Sequence, residues 1–196
     1  MTLAIAAFVA MAASAQVKPG VETLRDGNFA QLQGKRVGLL TNPSGVDNNL
    51  VSTIDILANA PGVKLTALYS PEHGVRGDIA AGEKVDTYVD PATGVTVYSL
   101  YGKNKKPSAE MLADIDVLVY DIQDNGCRSF TFISTMGLCM EACAENGKEF
   151  MVLDRPNPLS GLKVEGNLVE EGFFSLVSQF KIPYLYGLTP GELALM

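Results

Sequence analysis

Five short apolar runs constrain the fold of this sequence more than any other feature. They cover residues 36–40, 64–69, 95–98, 117–120 and 150–153, and most of their residues are β-branched or large and apolar. Consecutive apolar positions, rather than alternating ones, are typical of strands buried on both faces. Segments with helical or turn patterns separate the runs. This alternation predicts an α/β fold with a mostly parallel sheet between two helical layers.

Helical spacing of apolar residues predicts three helices between the runs. The apolar positions are Leu50, Ile54, Leu57 and Ala58 in the first, Met111, Leu112 and Ile115 in the second, and Phe130, Ile133, Gly137, Met140 and Ala144 in the third. Pro61 and Gly62 are expected to end the first helix, Ser108 to cap the second, and Gly147 to end the third.

The first residues differ in composition from the rest. Residues 3–15 are almost wholly apolar and small, and they close on Ala13-Ser14-Ala15. This pattern predicts a signal peptide over residues 1–15 and export to the periplasm or beyond the cell, although the usual positive start is missing. The segment is too short to span a membrane, because a spanning helix needs about 20 residues. Since the positive start is missing, the alternatives are a true start upstream of Met1 or a membrane-contacting helix. The folded domain is then expected over residues 16–188.

The last eight residues, 189–196, predict the start of another helix. Thr189 is a typical N-cap, Pro190 occupies the first helical position, and Glu192 follows three residues after the cap. So short a segment does not form a stable helix alone. We therefore expect that the sequence stops where a further helix, and with it a second C-terminal domain, begins.

Charge and residue counts exclude several classes of function. The 22 acidic residues outnumber the 15 lysines and arginines, so the formal charge is −7. A chain of this charge without a basic stripe repels nucleic acids. One histidine and three cysteines do not make a His-rich metal site or a disulfide scaffold, and Cys127, Cys139 and Cys143 are expected to be small buried thiols. Nucleotide-binding loops and a G-x-S-x-G elbow are missing, so the alternating fold is not expected to bind a nucleotide.

Polar residues follow four of the five predicted strands. Because ligands of open α/β sheets bind at the carboxyl ends of the strands, these residues are expected to form one site. Three of the five arginines and the only histidine lie there, which indicates a polar, anionic small ligand; the alternative is that the residues simply form turns. The candidates are Asn42, Glu72, His73, Arg76, Asp121, Gln123, Asp124, Arg128, Asp154, Arg155 and Asn157.

Glu72 is the main candidate for acid catalysis. It lies between Pro71 and His73, where partial burial would raise its pKa and suit it to donate a proton. The alternative is a surface carboxylate paired with Arg76. Asp121 and Asp124 are candidates for a second carboxylate or a sugar-hydroxyl acceptor, and Asp124 alternatively for a cap on the following helix.

Three further residues have open alternatives. Asp154 is either part of the site or fixes its loop through the guanidinium of Arg155, and exposed pairs of that kind contribute little. Tyr184 and Tyr186 either stack on a sugar face or pack in the core or an interface.

Several motifs resemble one family of enzymes. They are SPEHGVRG at 70–77, DIQDNGCR at 121–128, Thr135-Met136 with Met140-Glu141-Ala142, LDRPNP at 153–158, VEG at 164–166 and GLTPGEL at 187–193. In this order, from about Arg36 to the last residue, they resemble the NamZ-type exo-β-N-acetylmuramidases, glycoside hydrolases long described only as a domain of unknown function.

The resemblance implies a fold and an activity. Members of that family release N-acetylmuramic acid from the non-reducing ends of peptidoglycan fragments, without a cofactor, in a cleft between a Rossmann-like N-terminal domain and a C-terminal domain. The family's catalytic glutamate corresponds to Glu72, and its other cleft motifs cover the remaining candidates except Asn42. Many relatives have a histidine where Tyr186 stands, and a small residue where Cys127 and Cys143 stand.

The implied substrate agrees with the residue types. Muramic acid carries a lactyl carboxylate, which a guanidinium binds in a planar, two-pronged manner, and Arg76, Arg128 and Arg155 are candidates. Hydrolysis of a glycosidic bond calls for an acid, here Glu72, and a second carboxylate, here Asp121 or Asp124. A non-catalytic module that binds cell-wall sugars, and a hydrolase of another bond such as an amide, are the alternatives.

Overall fold

The computed structural model of the chain describes residues 17–77 and 87–196. Its centre is a six-stranded sheet in the order β3-β4-β2-β1-β5-β6. β3 is antiparallel to β4, and every other pair of neighbours is parallel. The strands are β1 Arg36–Thr41, β2 Lys64–Ser70, β3 Tyr88–Val89, β4 Thr96–Ser99, β5 Val117–Asp121 and β6 Glu149–Val152.

All five predicted strands are present, and the sheet is buried on both faces as the apolar runs predict. In β5, Val117 and Val119 belong to one core cluster, whereas Leu118 and Tyr120 belong to the other. Successive side chains of a strand point to opposite faces, so a strand that is apolar throughout supplies both cores. The predicted α/β architecture is therefore confirmed.

Helices cover the two faces. They are α1 Gly20–Asp26, α2 Thr53–Ala58, α3 Phe132–Glu145 and α4 Pro190–Leu195, with a short 3-10 turn at Ala30–Leu32. α1 and α2 pack on one face through residues such as Leu24 and Leu57. α3 and α4 contribute to the core on the other face through Met136 and Leu193. α4 has the predicted capping box of Thr189 and Glu192.

The first predicted helix begins later than its apolar spacing indicates. Leu50 is 80% exposed and has a left-handed backbone with φ of 62°. The carboxylate of Asp47 accepts hydrogen bonds from the backbone N–H groups of Asn49 and Val51, at 2.9 Å each. This local capture forms a turn instead of a helix. The helix begins only after Ser52, whose hydroxyl accepts from Ile54 N at 3.2 Å.

The prediction of the second helix is wrong, and α3 begins only after Phe130, the first residue of the predicted apolar stripe. Ser108 accepts a hydrogen bond from Met111 N as a cap would, but residues 109–114 form turns. One backbone hydrogen bond, from Leu112 N to Ser108 O, has the spacing of an α-helix, and the next, from Ala113 N to Glu110 O, spans only three residues. β5 begins at Val117, so the chain does not continue into a helix. Phe130 precedes α3 and is 47% exposed, so it lies outside the predicted stripe.

The predicted signal peptide, residues 1–15, lies outside the described residues. Within residues 17–77 and 87–196, no helix is both long and apolar enough to cross a membrane.

Candidate active site

The carboxyl ends of four parallel strands lie side by side. β2, β1, β5 and β6 are consecutive neighbours in the sheet, so the loops that follow them emerge at one edge, as the sequence predicts. Gln123 connects three of these loops. Its backbone N–H donates to Ser44 Oγ at 2.9 Å, and its side-chain Nε2 donates to the carbonyl of Pro156 at 2.9 Å.

Close backbone packing holds the loop after β1 in place. A Cβ atom on Gly45 would lie 2.1 Å from Thr41 Oγ1 and 2.7 Å from the carbonyl of Asp121, so no side chain fits there. Thr41 Oγ1 itself donates to that carbonyl at 2.7 Å. In the same loop, Asn42 Oδ1 accepts from the backbone N–H and hydroxyl of Ser44. Asn42 therefore shapes the loop.

Glu72 lies on a tight turn after β2. The residue is half-buried, and the next two residues, His73 and Gly74, have left-handed backbones with φ of 75° and 81°. The phenol of Tyr101 lies against its carboxyl, and hydrogen bonding to Glu72, together with its charge, raises the pKa of Tyr101. Glu72 therefore has a phenol as a neighbour at the carboxyl edge, and His73 is exposed beside it.

Tyr101, which follows β4, is a residue of the site that no sequence motif indicated. The predicted strand at 95–98 does carry a signal for it, because the loop that follows a parallel strand lies at the same edge of the sheet as the other loops. Leu100 N donates to the carbonyl of Ser70 at 2.8 Å, which places the loop after β4 beside the end of β2.

Arg76 binds two carboxylates, and neither belongs to Glu72. Its Nε donates to Asp90 Oδ1 at 2.7 Å, and its Nη2 donates to Asp90 Oδ2 at 3.0 Å and to Asp55 Oδ1 at 2.9 Å. Asp90 is buried, and its hydrogen bond with Arg76 lowers the pKa of the Asp90 carboxyl. The alternative pairing of Glu72 with Arg76 is thus not formed.

Asp121 and Arg155 form a buried ion pair. Arg155 Nε donates to Asp121 Oδ1 at 2.6 Å and Nη2 donates to Oδ2 at 3.0 Å, while Thr53 Oγ1 also donates to Oδ2. Arg155 Nη2 donates further to the carbonyl of Val46 at 2.7 Å. Burial raises the pKa of Asp121, and the bonds from Arg155 and Thr53 oppose that shift. Both Asp121 oxygens are therefore occupied.

Asp124 is held by Tyr186. The Tyr186 hydroxyl and the backbone N–H of Gly126 both donate to Asp124 Oδ2, while Asp124 Oδ1 is buried without a hydrogen-bond partner. Burial raises the pKa of Asp124, and the hydrogen bond from Tyr186 opposes the shift. Asp124 does not cap α3, which begins at Phe132. The buried Tyr186 packs in the core, so stacking on a sugar is not its role here.

Asp154 and Asn157 fix the segment that leads to α4. Asp154 accepts from Thr189 Oγ1 at 2.8 Å and from Gly191 N at 2.7 Å, so it does not pair with the guanidinium of its neighbour. Asn157 Nδ2 donates to the carbonyl of Leu188 at 3.0 Å.

Arg128 contacts carbonyl groups. Its Nη1 donates to the carbonyls of Asn167 and Ile182, at 2.7 and 2.5 Å. Within residues 17–77 and 87–196 no carboxylate lies within ion-pair distance of it. Nearby, the exposed Tyr184 shares a hydrogen bond of 2.9 Å with Ser129.

Two cavities flank the ion pair of Asp121 and Arg155. One of about 520 Å³ lies between α1 and the end of β6, and Lys18 and Asp154 line it. The other, of about 370 Å³, is lined by Ser44 and Gln123 from the loops after β1 and β5. Arg155 borders both. The carboxyl edge thus has room for a polar ligand beside these loops.

The described residues offer no metal site. No group of three His, Cys, Asp or Glu side chains in residues 17–77 and 87–196 is placed to hold a metal ion. Cys139 and Cys143 are buried thiols as predicted, and burial raises the pKa of Cys143 to about 11.

Comparison with known proteins adds to this geometry. The chain is 54% identical over 179 residues to "Peptidoglycan beta-N-acetylmuramidase NamZ" of Bacillus subtilis (strain 168), which covers 91% of this chain and 43% of the relative. The fold is similar to a DUF1343 family protein from Bacteroides fragilis NCTC 9343, with a TM-score of 0.85, 70% identity, and coverage of 91% and 44% of the two chains. A second DUF1343 family protein from that strain has a TM-score of 0.78 and 36% identity, with coverage of 92% and 46%.

The chain therefore spans less than half the length of the relatives described here. A family profile described as "Exo-beta-N-acetylmuramidase NamZ, N-terminal" matches residues 37–196, which include every motif quoted above from the β2 loop onward. By this match, and by its identity to the relatives, the chain belongs to the family of the N-terminal part of exo-β-N-acetylmuramidase NamZ.

Proposed function

We propose that the complete protein is an exported glycoside hydrolase that releases N-acetylmuramic acid from the non-reducing ends of peptidoglycan fragments. Membership of the family and the name of the Bacillus subtilis relative support this activity. The observation in the structure that carries it is the position of Glu72. The half-buried residue lies at the carboxyl edge of a parallel sheet, where its carboxyl interacts with the phenol of Tyr101.

Glu72 acts as the acid that protonates the leaving oxygen of the glycosidic bond. The second carboxylate, base or nucleophile, comes from Asp124 rather than Asp121. Both oxygens of Asp121 are bonded to Arg155 or Thr53, whereas Asp124 Oδ1 has no partner among the described residues. Freeing Asp121 would require breaking a buried ion pair, which is unfavourable.

Arg128 binds the lactyl carboxylate of the substrate. Of the three arginines predicted for this role, Arg76 and Arg155 already bind carboxylates of the protein. Arg128 has only carbonyl partners in the described part of the chain, so its positive charge is not neutralised there. A guanidinium with an unneutralised charge is the better partner for an incoming carboxylate.

The decisive experiment is hydrolysis by the complete gene product. With a chromogenic N-acetylmuramic acid glycoside we expect turnover in the wild type and loss of it in Glu72→Gln. Glu110→Gln, an exposed glutamate on a turn, is the matched control and should keep wild-type activity. Wild-type rates in Glu72→Gln would remove Glu72 from the mechanism.

The same experiment separates the other functions. Mass spectrometry of muropeptides after incubation identifies the bond that is cut, and cleavage of an amide would replace the glycosidase by an amidase. Binding of muropeptides without turnover in wild type and Glu72→Gln alike would favour a binding module.

Substrate choice tests Arg128. Arg128→Gln should raise KM for the muramic acid glycoside and leave KM for the corresponding N-acetylglucosamine glycoside unchanged, because the latter lacks the lactyl group. An equal change for both substrates would assign Arg128 a structural role.

Export is part of the proposal and rests on the apolar segment at residues 3–15. Expression in the native host, followed by fractionation and N-terminal sequencing, should give an exported form that begins at Gln16. A form that retains residues 1–15 would contradict cleavage.

A further inference from the structure

Arg76 extends from the end of β2 back over one face of the sheet. Asp90 directly follows β3 and precedes the turn into β4, so it lies toward the amino end of β4. Asp55, the other partner of Arg76, belongs to α2 on the same face. The guanidinium of Arg76 is thus joined to the α2 side of the sheet.

Asp90 is a fixed anchor. Its side chain is 1% exposed and accepts from both the backbone N–H and the hydroxyl of Thr93, at 3.1 and 2.6 Å. Its backbone closes a turn, since Asp90 N donates to the carbonyl of Val95 and its own carbonyl accepts from Gly94 N. Because both of its oxygens are bonded, this carboxylate does not bind a substrate, but it holds the side chains that bind it.

The turn that carries Glu72, residues 71–77, needs such an anchor. We call it the Glu72 turn. His73, Gly74 and Gly77 have left-handed backbones, which a histidine rarely adopts. The backbone bond that closes the turn, Gly74 N to Pro71 O, is long at 3.4 Å. A conformation of this kind persists when surrounding contacts hold it.

Two adjacent side chains supply those contacts. Val75 is buried in the core on the α2 side, and Arg76 binds Asp90 and Asp55 with three bonds of 3.0 Å or less. We infer that Arg76 and Asp90 are positioning residues that hold the Glu72 turn in the conformation that presents Glu72 and Tyr101 at the carboxyl edge. Arg76 then does not bind substrate, and Asp90, which no sequence motif pointed to, affects the reaction without touching it.

Hydrogen exchange tests the positioning without reference to activity. In the complete gene product, we expect amide exchange in residues 71–77 at least tenfold faster in Arg76→Gln and in Asp90→Asn than in the wild type. Arg36→Lys is the matched control, because Arg36 binds Asp116 with a similar fork at the opposite edge of the sheet. Exchange in the Glu72 turn should not change in that variant.

Steady-state kinetics test whether the position of the Glu72 turn affects catalysis, and this experiment rests on the proposed glycosidase function. Both variants should lower kcat more than tenfold while KM for the muramic acid glycoside stays within twofold. The double variant should be no worse than either single one, because both remove the same contact. Arg76→Lys, which keeps the charge and one bond to Asp90, should restore part of kcat.

Two results would overturn the inference. Unchanged exchange in residues 71–77 of both folded variants would show that the turn holds without Arg76. A raised KM with normal kcat in Arg76→Gln, together with normal kinetics in Asp90→Asn, would return Arg76 to substrate binding. If neither the wild type nor any variant shows turnover, the proposed glycosidase function is wrong. The hydrogen-exchange rates of residues 71–77 then decide by themselves whether Arg76 and Asp90 position the Glu72 turn.

Discussion

The guanidinium of Arg155 bonds both oxygens of the Asp121 carboxylate, with 2.6 Å between Nε and Oδ1 and 3.0 Å between Nη2 and Oδ2. Asp121 ends β5 and Arg155 follows β6, so this one contact fastens two strand ends. Both side chains are buried. The polar edge of the sheet is therefore held from within by a buried ion pair.

Arg155→Met should destabilise the fold strongly. The substitution leaves the buried carboxylate of Asp121 without its cation, and removal of one partner of a buried pair costs about 3–5 kcal/mol of unfolding free energy. Urea denaturation at neutral pH measures the change. Arg36→Met, which breaks a half-exposed pair, is the control and should cost much less. An equal loss of unfolding free energy in the two variants would show that burial of the Asp121–Arg155 pair does not add to its effect on stability.

Tyr186→Phe should lower stability in a pH-dependent way. Burial raises the folded-state pKa of Asp124 above its ordinary 3.8, and the bond from Tyr186 keeps that pKa from rising further. A raised folded pKa means that the folded state holds its proton more tightly, so unfolding free energy falls as pH rises from 3.8 through the folded pKa. Loss of the Tyr186 hydroxyl enlarges that fall.

The difference between wild type and Tyr186→Phe should thus be smallest below pH 3.8 and reach about 2 kcal/mol at neutral pH, as for a hydrogen bond to a charged group. Urea denaturation at a series of pH values measures it. Tyr184→Phe, which removes an exposed hydroxyl, should show no such trend. A difference that does not vary with pH would mean that Asp124 is not the group that responds.

The strands and their common edge could be predicted from sequence because both depend on local patterns. Runs such as 117–120 are short, apolar at every position and rich in β-branched residues, which favours a strand buried on both faces. The prediction that Leu50 lies in the first helix is wrong, because the side chain of Asp47 accepts hydrogen bonds from two backbone N–H groups and bends the chain before α2 begins. Apolar spacing carries no information on such a capture.

The pairings within the site could not be predicted from sequence. Arg76 is a candidate for a substrate carboxylate or, alternatively, for a pair with Glu72, four residues away, but it binds Asp90, fourteen residues away. Asp154 and Arg155 are neighbours in sequence, yet one binds the start of α4 and the other binds Asp121. These contacts depend on how the chain folds back on itself, and the separation of two residues in sequence does not give the distance between their side chains.

Gly20→Ala tests how closely α1 packs on the end of β6. A Cβ atom at Gly20 would lie 2.5 Å from the backbone carbon of Leu153, and a backbone atom does not move aside as a flexible side chain would. We expect a loss of about 1–3 kcal/mol of unfolding free energy. Gly27, at the other end of α1, has room for a methyl group at 3.5 Å and is the control. A Gly20→Ala variant as stable as Gly27→Ala would show that α1 is free to shift.

Tyr101→Phe tests whether the phenol beside Glu72 takes part in the reaction. The variant keeps the ring and removes the hydroxyl that interacts with the Glu72 carboxyl. A neighbouring donor sets the orientation of a general acid, so kcat should fall about tenfold with little change in KM. Tyr98→Phe, three residues earlier, alters a ring that packs on Tyr69 at 5.6 Å and should keep kcat. An unchanged kcat in Tyr101→Phe would exclude the phenol hydroxyl from the reaction, and an equal fall of kcat in Tyr98→Phe would confine Tyr101 to packing.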